Sequence, residues 1–299
     1  MFHKILLPLD GSNLSERALP HALQLARASH AELNLMRVAL PMPVTIPTTV
    51  GEVGIMYADQ VTDQTLQNVH SYLDQLEQRY QSPDLRLQCH ATQGDVASGI
   101  LNAAEQLPAD LILMSTHGYS GLTRWLLGSI TEKVLQNATC PVIAVRNVEP
   151  ITTILVALDG SPRAESVLAP TLELARLFNA HVIFFHAVEP AVEPDNRLLE
   201  TTEPNLWQRL QDWSYEQGRR YLEEVAEAYG PSVPSYETDL SFAPAPEAIL
   251  DAARAYHADL IALATHGRTG FSRWLYGSVT EKVLRHTDRN LLVVRNNTN

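Results

Sequence analysis

The chain repeats its own sequence at a constant offset of 149 residues. Residues 116–135 align with 265–284, and both segments contain Arg-Trp-Leu-x-Gly-Ser-x-Thr-Glu-Lys-Val-Leu. The tripeptide Asp-Gly-Ser begins at Asp10 and again, at the same offset, at Asp159. Because one offset fits both ends of each copy, the 299 residues are predicted to form two copies of one domain, 1–148 and 149–299. A domain of about 150 residues buries roughly 70% of its unfolded surface, which is enough for a core of its own.

Each copy alternates short apolar segments with segments of helical periodicity. Residues 111–114 of the segment 111–115 are continuously apolar, as is typical of a parallel strand covered on both faces. A helix is predicted to begin at Ser12, and residues 40–60, which carry three prolines, are predicted to form a loop. This alternation predicts an α/β fold in which each copy is a doubly wound parallel sheet with helices on both faces. The strands predicted in the first copy are 4–9, 32–38, 85–91, 111–115 and 141–145.

Composition excludes several classes of protein. Acidic residues outnumber basic ones 34 to 22, and a net charge of −12 opposes non-specific binding to nucleic acid. No segment approaches the ~18 apolar residues of a membrane helix, and the first residues lack the pattern of a secretion signal, so we expect a cytoplasmic protein without membrane contact. Cys89 and Cys140 have no metal-binding spacing, which predicts two reduced thiols.

Two segments of each copy are predicted to lie where ligands bind. In parallel sheets of this kind, ligands occupy the crevice beyond the carboxyl ends of the strands. The turn after the first strand, at Asp10 and Asp159, lies there. So does the glycine-bearing loop after the fourth strand, which ends at Gly128 and Gly277.

The sequence Gly-Ser-x-Thr-Glu at the end of that loop predicts the start of a helix. Ser129 and Ser278 are the predicted N-caps of a capping box, with glutamate three residues later. The free amides of such a helix end favour phosphate, and Thr131 and Thr280 add hydroxyl groups. The alternative is a purely structural cap and turn. Retention of the whole loop in both copies favours the phosphate site.

The remaining polar residues of these segments leave alternatives open. Asp10 and Asp159 either bind a nucleotide base, a ribose or a divalent cation, or only form an Asp-Gly turn. His117 and His266 brace the loop or act as acid–base groups, and Arg124 and Arg273 contact a terminal phosphate or lie in solvent. The chain has no P-loop, dinucleotide fingerprint, zinc helix or nucleophile elbow, which disfavours a dedicated hydrolase or dehydrogenase and predicts a protein that is not an enzyme.

On these residues the chain resembles a tandem universal stress protein over nearly its whole length. The resemblance is carried by residues 4–12 and by Thr116-His117-Gly118, followed after nine residues by Gly128-Ser129, each with its counterpart at the 149-residue offset. The ATP-binding pattern of the family is Gly, two residues, Gly, nine residues and Gly-Ser/Thr. Ser115 and Ala264 replace its first glycine. The resemblance implies an adenine nucleotide alpha hydrolase-like fold with a five-stranded sheet, internal pairing of the two domains, and association of two chains as a homodimer.

The resemblance also implies a function and a set of contacts. It implies a cytoplasmic stress-response protein that binds ATP with Mg²⁺ in one or both halves, with Asp10 and Asp159 as candidate metal ligands. The alternatives are a dimeric interaction or signalling module that works without nucleotide, and a slow ATPase. The loops 40–60 and 190–205 either gate a pocket, recognise a partner or are tolerated insertions. The implied nucleotide contacts are Leu9, Asp10, Val38, Met114, Ser115, Gly118, Gly128, Ser129, Ile130 and Thr131 in the first half, and Leu158, Asp159, Ala187, Leu263, Ala264, Gly267, Gly277, Ser278, Val279 and Thr280 in the second.

Overall fold

The protein consists of two compact units, Met1–Val148 and Glu149–Asn299. The structure, a computed structural model, describes residues 2–40, 43–47, 53–57, 63–116, 128–189, 206–266 and 277–296. Within this part of the chain, no helix is both long enough and apolar enough to cross a membrane.

The first unit is a five-stranded parallel sheet, as predicted. Its strands lie in the order β7-β6-β1-β2-β5, and each neighbouring pair is parallel. The elements are β1 (Lys4–Pro8), α1 (Leu19–Ser29), β2 (Glu32–Ala39), β3 (Pro43–Pro47), β4 (Val53–Tyr57), α2 (Asp63–Tyr80), β5 (Arg86–Gln93), α3 (Val96–Gln106), β6 (Leu111–Ser115), α4 (Ser129–Asn137) and β7 (Val142–Val145).

The second unit repeats this sheet, with β8 and β11 at its centre. Its strands lie in the order β10-β9-β8-β11-β12, again all parallel. The elements are β8 (Thr153–Leu158), α5 (Leu168–Phe178), β9 (His181–Val188), α6 (Leu206–Tyr229), β10 (Ser235–Phe242), α7 (Ala245–Ala255), β11 (Leu260–His266), α8 (Ser278–His286) and β12 (Asn290–Asn296).

Neighbouring residues of β2 show that helices cover both faces of the sheet. The guanidinium of Arg37 lies 4.6 Å from the ring centre of Tyr72, on α2. The next residue, Val38, packs closely against Gly99 on α3. Successive side chains of a strand point to opposite faces, so α2 and α3 lie on opposite sides of the sheet.

The region after β2 differs from its prediction. Its described residues form two antiparallel strands, β3 and β4, paired from Pro43 with Tyr57 to Pro47 with Val53. The prediction of a loop over 40–60 was wrong for these residues, because the prolines stand at the two ends of β3, where the loss of an N–H is tolerated. The loop predicted at 190–205 lies outside the described residues.

The first helix begins later than predicted. A 3₁₀ turn spans Ser15–Ala18, and α1 follows it only from Leu19. The Ser12 hydroxyl oxygen accepts a hydrogen bond from the N–H of Ser15 at 3.1 Å, so Ser12 supports the start of the 3₁₀ turn, whose N-cap is Leu14, and not the start of the α-helix.

A carboxylate closes the amino-terminal end of each sheet. Asp110 Oδ2 accepts hydrogen bonds from the N–H groups of His3 at 2.7 Å and Lys4 at 2.9 Å. In the second unit, Asp259 Oδ2 accepts from the N–H groups of Thr152 at 2.8 Å and Thr153 at 3.0 Å. Asp110 thus connects the start of β6 to the start of β1, and Asp259 connects the start of β11 to the start of β8.

The turn after the first strand of each unit contains a glycine with left-handed backbone. Gly11 has φ of 85° and Gly160 has φ of 79°. A Cβ at Gly11 would lie 2.8 Å from the guanidinium of Arg37, whereas a Cβ at Gly160 would meet nothing within 4 Å. The two turns therefore share their conformation but differ in their surroundings.

We expect Gly160→Ala to lower stability by about 1–2 kcal/mol, the cost of a left-handed residue with a Cβ. Gly11→Ala should cost about 0.5–1 kcal/mol more, because Arg37 must move and its contact with Tyr72 is lost. Calorimetric melting of both variants beside the parent protein measures the difference. Equal shifts would show that Arg37 adjusts without cost.

Both cysteines are free and half-buried. Burial is the main cause that raises the pKa of the Cys89 thiol to about 11, and nearby Glu77 and Asp74 add to it. Burial likewise raises the pKa of the Cys140 thiol to about 11.

We predict slow modification of both thiols by a disulfide reagent at pH 8. A thiol with a pKa near 11 is only about 0.1% thiolate at that pH, and the thiolate is the reactive form. The rate should rise about tenfold per pH unit up to the stability limit of the fold. Stopped-flow absorbance measures it, with free cysteine as the reference. A rate at pH 8 equal to that of free cysteine would contradict the prediction.

Candidate functional site

Two hydrogen bonds hold the start of α4 against the end of β6. The N–H of Gly128 donates to the carbonyl oxygen of Thr116 at 3.0 Å. The hydroxyl of Thr131, in the first turn of the helix, donates to the carbonyl oxygen of Ser115 at 3.2 Å. The helix therefore begins at the carboxyl end of a central strand.

The residue that caps this helix is glycine and not serine. Gly128 is the N-cap of α4, with φ of −62° and ψ of 141°, and no side chain of the described residues caps the helix. Gly277 has the same role in α8, so the capping boxes predicted for Ser129 and Ser278 were wrong. The reason is steric, since a Cβ at position 128 would lie 2.9 Å from the Thr116 carbonyl oxygen.

The first amides of both helices have no acceptor among the residues that the structure describes. Intrahelical bonding begins with the N–H of Glu132 on Gly128 and the N–H of Glu281 on Gly277. Among the described residues, none accepts a hydrogen bond from the three N–H groups that precede each glutamate. Such amides form the positive end of a helix dipole and attract anions. They belong to Ser129, Ile130 and Thr131 in α4 and to Ser278, Val279 and Thr280 in α8.

The Thr131 side chain contributes less to anion binding than its position in the first turn of α4 suggests. It is buried, and its hydrogen is already donated to the Ser115 carbonyl. Its hydroxyl therefore fixes the helix to the strand, and only its backbone N–H is left for an anion.

The two aspartates after the first strands form local turns. Asp10 Oδ1 accepts hydrogen bonds from the N–H of Ser12 at 2.8 Å and from its hydroxyl at 2.6 Å. Asp159 Oδ1 accepts from the N–H of Ser161 at 2.9 Å. One oxygen of each carboxylate therefore serves the Asp-Gly turn itself, which is the purely structural role considered for these residues.

A cavity of about 160 Å³ lies at the carboxyl end of the second sheet. All the contacts predicted for this half line it except Gly267, which lies outside the described residues. Sequence reasoning missed five further lining residues. The alternation of β9, which places Phe185 on the same face as Ala187, was a signal for one of them. The five are Ala157, Ala164, Phe185, Ala245 and Ile249.

The corresponding residues of the first half lie at the equivalent strand ends. Leu9 follows β1, and its N–H donates to the Met36 carbonyl oxygen of β2 at 2.7 Å. Val38 lies near the end of β2, and Met114 and Ser115 end β6. Gly118, His117, Arg124 and Arg273 lie outside the described residues, and His266 ends β11.

The helix that covers the other face of each sheet, α2 or α6, carries a tyrosine near the turn that follows the first strand. The Tyr72 hydroxyl donates to Glu16 Oε1 at 2.9 Å, and burial, followed by this bond, raises the pKa of Tyr72. Tyr221 is its counterpart, and burial raises its pKa as well. Next to Tyr221 stands His186, whose Nδ1 donates to the Leu158 carbonyl oxygen at 2.8 Å. The first half has Arg37 in place of this histidine.

Within the described ranges, no group of three or more His, Cys, Asp or Glu side chains could hold a metal ion by itself. A cation at Asp10 or Asp159 would therefore need most of its ligands from a bound molecule. Mg²⁺ in proteins is often held in this way, by one or two carboxylates together with phosphate oxygens and water.

The chain is similar to universal stress proteins in sequence and in structure. The sequence model of the universal stress protein family matches residues 1–146 and again 150–295. A universal stress protein of Bacillus subtilis is 32% identical over 148 residues, which are 49% of this chain and 100% of that protein. One from Mycolicibacterium smegmatis is 25% identical over 308 residues, with 97% of this chain and 96% of that protein covered.

A solved structure shows the same fold over both halves. The crystal structure of a universal stress protein from Archaeoglobus fulgidus superimposes with a TM-score of 0.68 at 20% identity, and 98% of each chain is covered. Together with the two family matches, this similarity extends to nearly every residue of the protein. The chain belongs to the universal stress protein family and carries two copies of its domain.

Proposed function

We propose that the protein binds ATP with Mg²⁺ at the carboxyl ends of its strands and acts in the stress response as a binding protein, not as an enzyme. The observation that carries the proposal is the cavity of the second unit. It brings the turn at Asp159 together with the end of β11 and the first turn of α8, which lie about 100 residues further along the sequence.

The first turn of α8 suits the phosphates. The N–H groups of Ser278, Val279 and Thr280 have no acceptor among the described residues, and all three residues line the cavity. A polyanion placed there would receive several hydrogen bonds at the positive end of a helix dipole.

The apolar lining residues of the cavity suit a base and a sugar. Ala187, Ile249 and Leu263 provide an apolar wall on which a purine ring can pack. Asp159 lies at the edge of the same cavity with one carboxylate oxygen engaged in its turn. The other oxygen is a suitable acceptor for a ribose hydroxyl or a ligand for Mg²⁺.

The donor set fits Mg²⁺ only as part of a nucleotide complex. One carboxylate per unit, Asp10 or Asp159, is a sufficient protein contribution when phosphate oxygens supply the remaining ligands. The bound ion would neutralise phosphate charge in a protein whose own net charge is −12.

Binding is a better description of this site than turnover. The polar side chains among the described lining residues are Asp159, Ser278 and Thr280, and they do not include a histidine, lysine or cysteine that could serve as base or nucleophile. The cytoplasmic location, the pairing of the two halves and the association of two chains remain predictions.

Titration calorimetry with ATP and Mg²⁺ tests the proposal, with Asp159→Asn as the variant. The asparagine oxygen can still accept from Ser161, so the turn is kept while the charge is lost. We expect the dissociation constant for ATP to rise at least tenfold, because hydrogen bonds to charged groups contribute about 1.5–3 kcal/mol. Asp212→Asn, which removes the same charge from the exposed surface of α6, is the control.

The absence of heat from the parent protein at millimolar ATP would overturn ATP binding. Equal weakening in both aspartate variants would show that the carboxylate in the cavity makes no specific contribution to affinity. Hydrolysis faster than about one turnover per second would reclassify the protein as an enzyme, since typical enzymes work at 1–1,000 per second.

A further inference from the structure

Five alanines shape the cavity of the second unit. They come from four elements and the turn between β8 and α5, and they surround the space where the nucleotide is proposed to lie. A methyl group is the smallest side chain other than hydrogen, so these positions keep the cavity open. They are Ala157, Ala164, Ala187, Ala245 and Ala264.

Every one of these alanines is replaced by a larger residue in the first unit. At the 149-residue offset, the counterparts are Pro8, Ser15, Val38, Val96 and Ser115, in the same order. Each adds one or two non-hydrogen atoms to the corresponding space. Protein interiors are close-packed, so added atoms at a cavity wall take up its volume or displace their neighbours.

The structure shows how two of the larger residues are accommodated. Val38 packs against Gly99 of α3, and a Cβ at Gly99 would lie 3.3 Å from Val38 Cγ2. The second unit has Ala187 and Ala248 at this pair of positions. The hydroxyl of Ser15 donates to the Ser12 carbonyl oxygen at 2.9 Å and accepts from the N–H of Asp10 at 3.3 Å. Both larger side chains are therefore held in place by the fold.

One residue is smaller in the first unit than in the second, and the space that this leaves does not lie at the proposed nucleotide site. Met36 stands where the second unit has Phe185 and has three fewer non-hydrogen atoms in its side chain. Met36 lines a separate cavity of about 400 Å³ between β5 and α3, together with His90, Thr92 and Asn102. None of the predicted nucleotide contacts lines that cavity.

We propose that the two units have unequal sites, and that the second unit holds the ATP while the first binds it at least tenfold more weakly. This inference rests on the proposed function. The duplicated chain would then act as a single-site nucleotide binder, although both copies retain the aspartate turn and the helix N-terminus.

Titration calorimetry of the full chain with ATP and Mg²⁺ tests the inequality. We expect one ATP per chain in the main binding event. The double variant Ala187→Val with Ala264→Ser, which brings first-half residues into the second cavity, should bind at least tenfold more weakly. Ala228→Val, on the exposed surface of α6, is the control for a substitution of alanine by valine, and circular dichroism checks the fold of both variants.

Photolabelling of the parent protein locates the site without a variant. We expect 8-azido-ATP at subsaturating concentration to label peptides from 149–299, with protection by unlabelled ATP. Two equal binding events, or preferential labelling of 1–148, would overturn the inequality and leave ATP binding intact. Absence of both heat and protected label would overturn ATP binding itself, and the inference with it.

Discussion

The attachment of α4 to the end of β6 is the contact on which the candidate anion site of the first unit depends. The N–H of Gly128 and the hydroxyl of Thr131 bind two successive carbonyl oxygens of the strand end, those of Thr116 and Ser115. The same contact explains why glycine stands at position 128, since a Cβ there would collide with the Thr116 carbonyl. A helix held in this way presents its first amides at the carboxyl edge of the sheet, where no side chain in the described part of the chain caps them.

Much of the fold follows from the sequence, because the chain contains the same pattern twice. The continuous apolar run 111–114 and the helical spacing around Leu73 are strong local signals, and the repeat removes errors that a single copy would allow. The turn at Asp159 and the loop that ends at Gly277 could be placed at the cavity because strand ends gather at one edge, whereas the other predicted lining residues came from the family resemblance. The repeat could not decide which residue caps α4, since that depends on a contact between Gly128 and a strand end that is distant in sequence.

Two further features were not predicted correctly from the sequence, the strands within 40–60 and some of the residues that line the cavity. The prolines of 40–60 are common in loops, but prolines at the ends of a short strand are compatible with pairing, as β3 and β4 show. The lining residues Ala164 and Ala245 gave no signal because alanine is also the commonest residue of an ordinary helix. Their importance is visible only beside Ser15 and Val96, the residues that replace them in the other copy.

Asp110 and Asp259 have a consequence for how such a chain could double. Each carboxylate satisfies the opening amides of the first strand within its own unit, at His3 and Lys4 or at Thr152 and Thr153. A copied domain therefore already has acceptors for the two amides at the start of its first strand, and fusion to a preceding sequence does not require new ones. Gene duplication could join two self-sufficient modules head to tail through a short connector and free one of them to diverge.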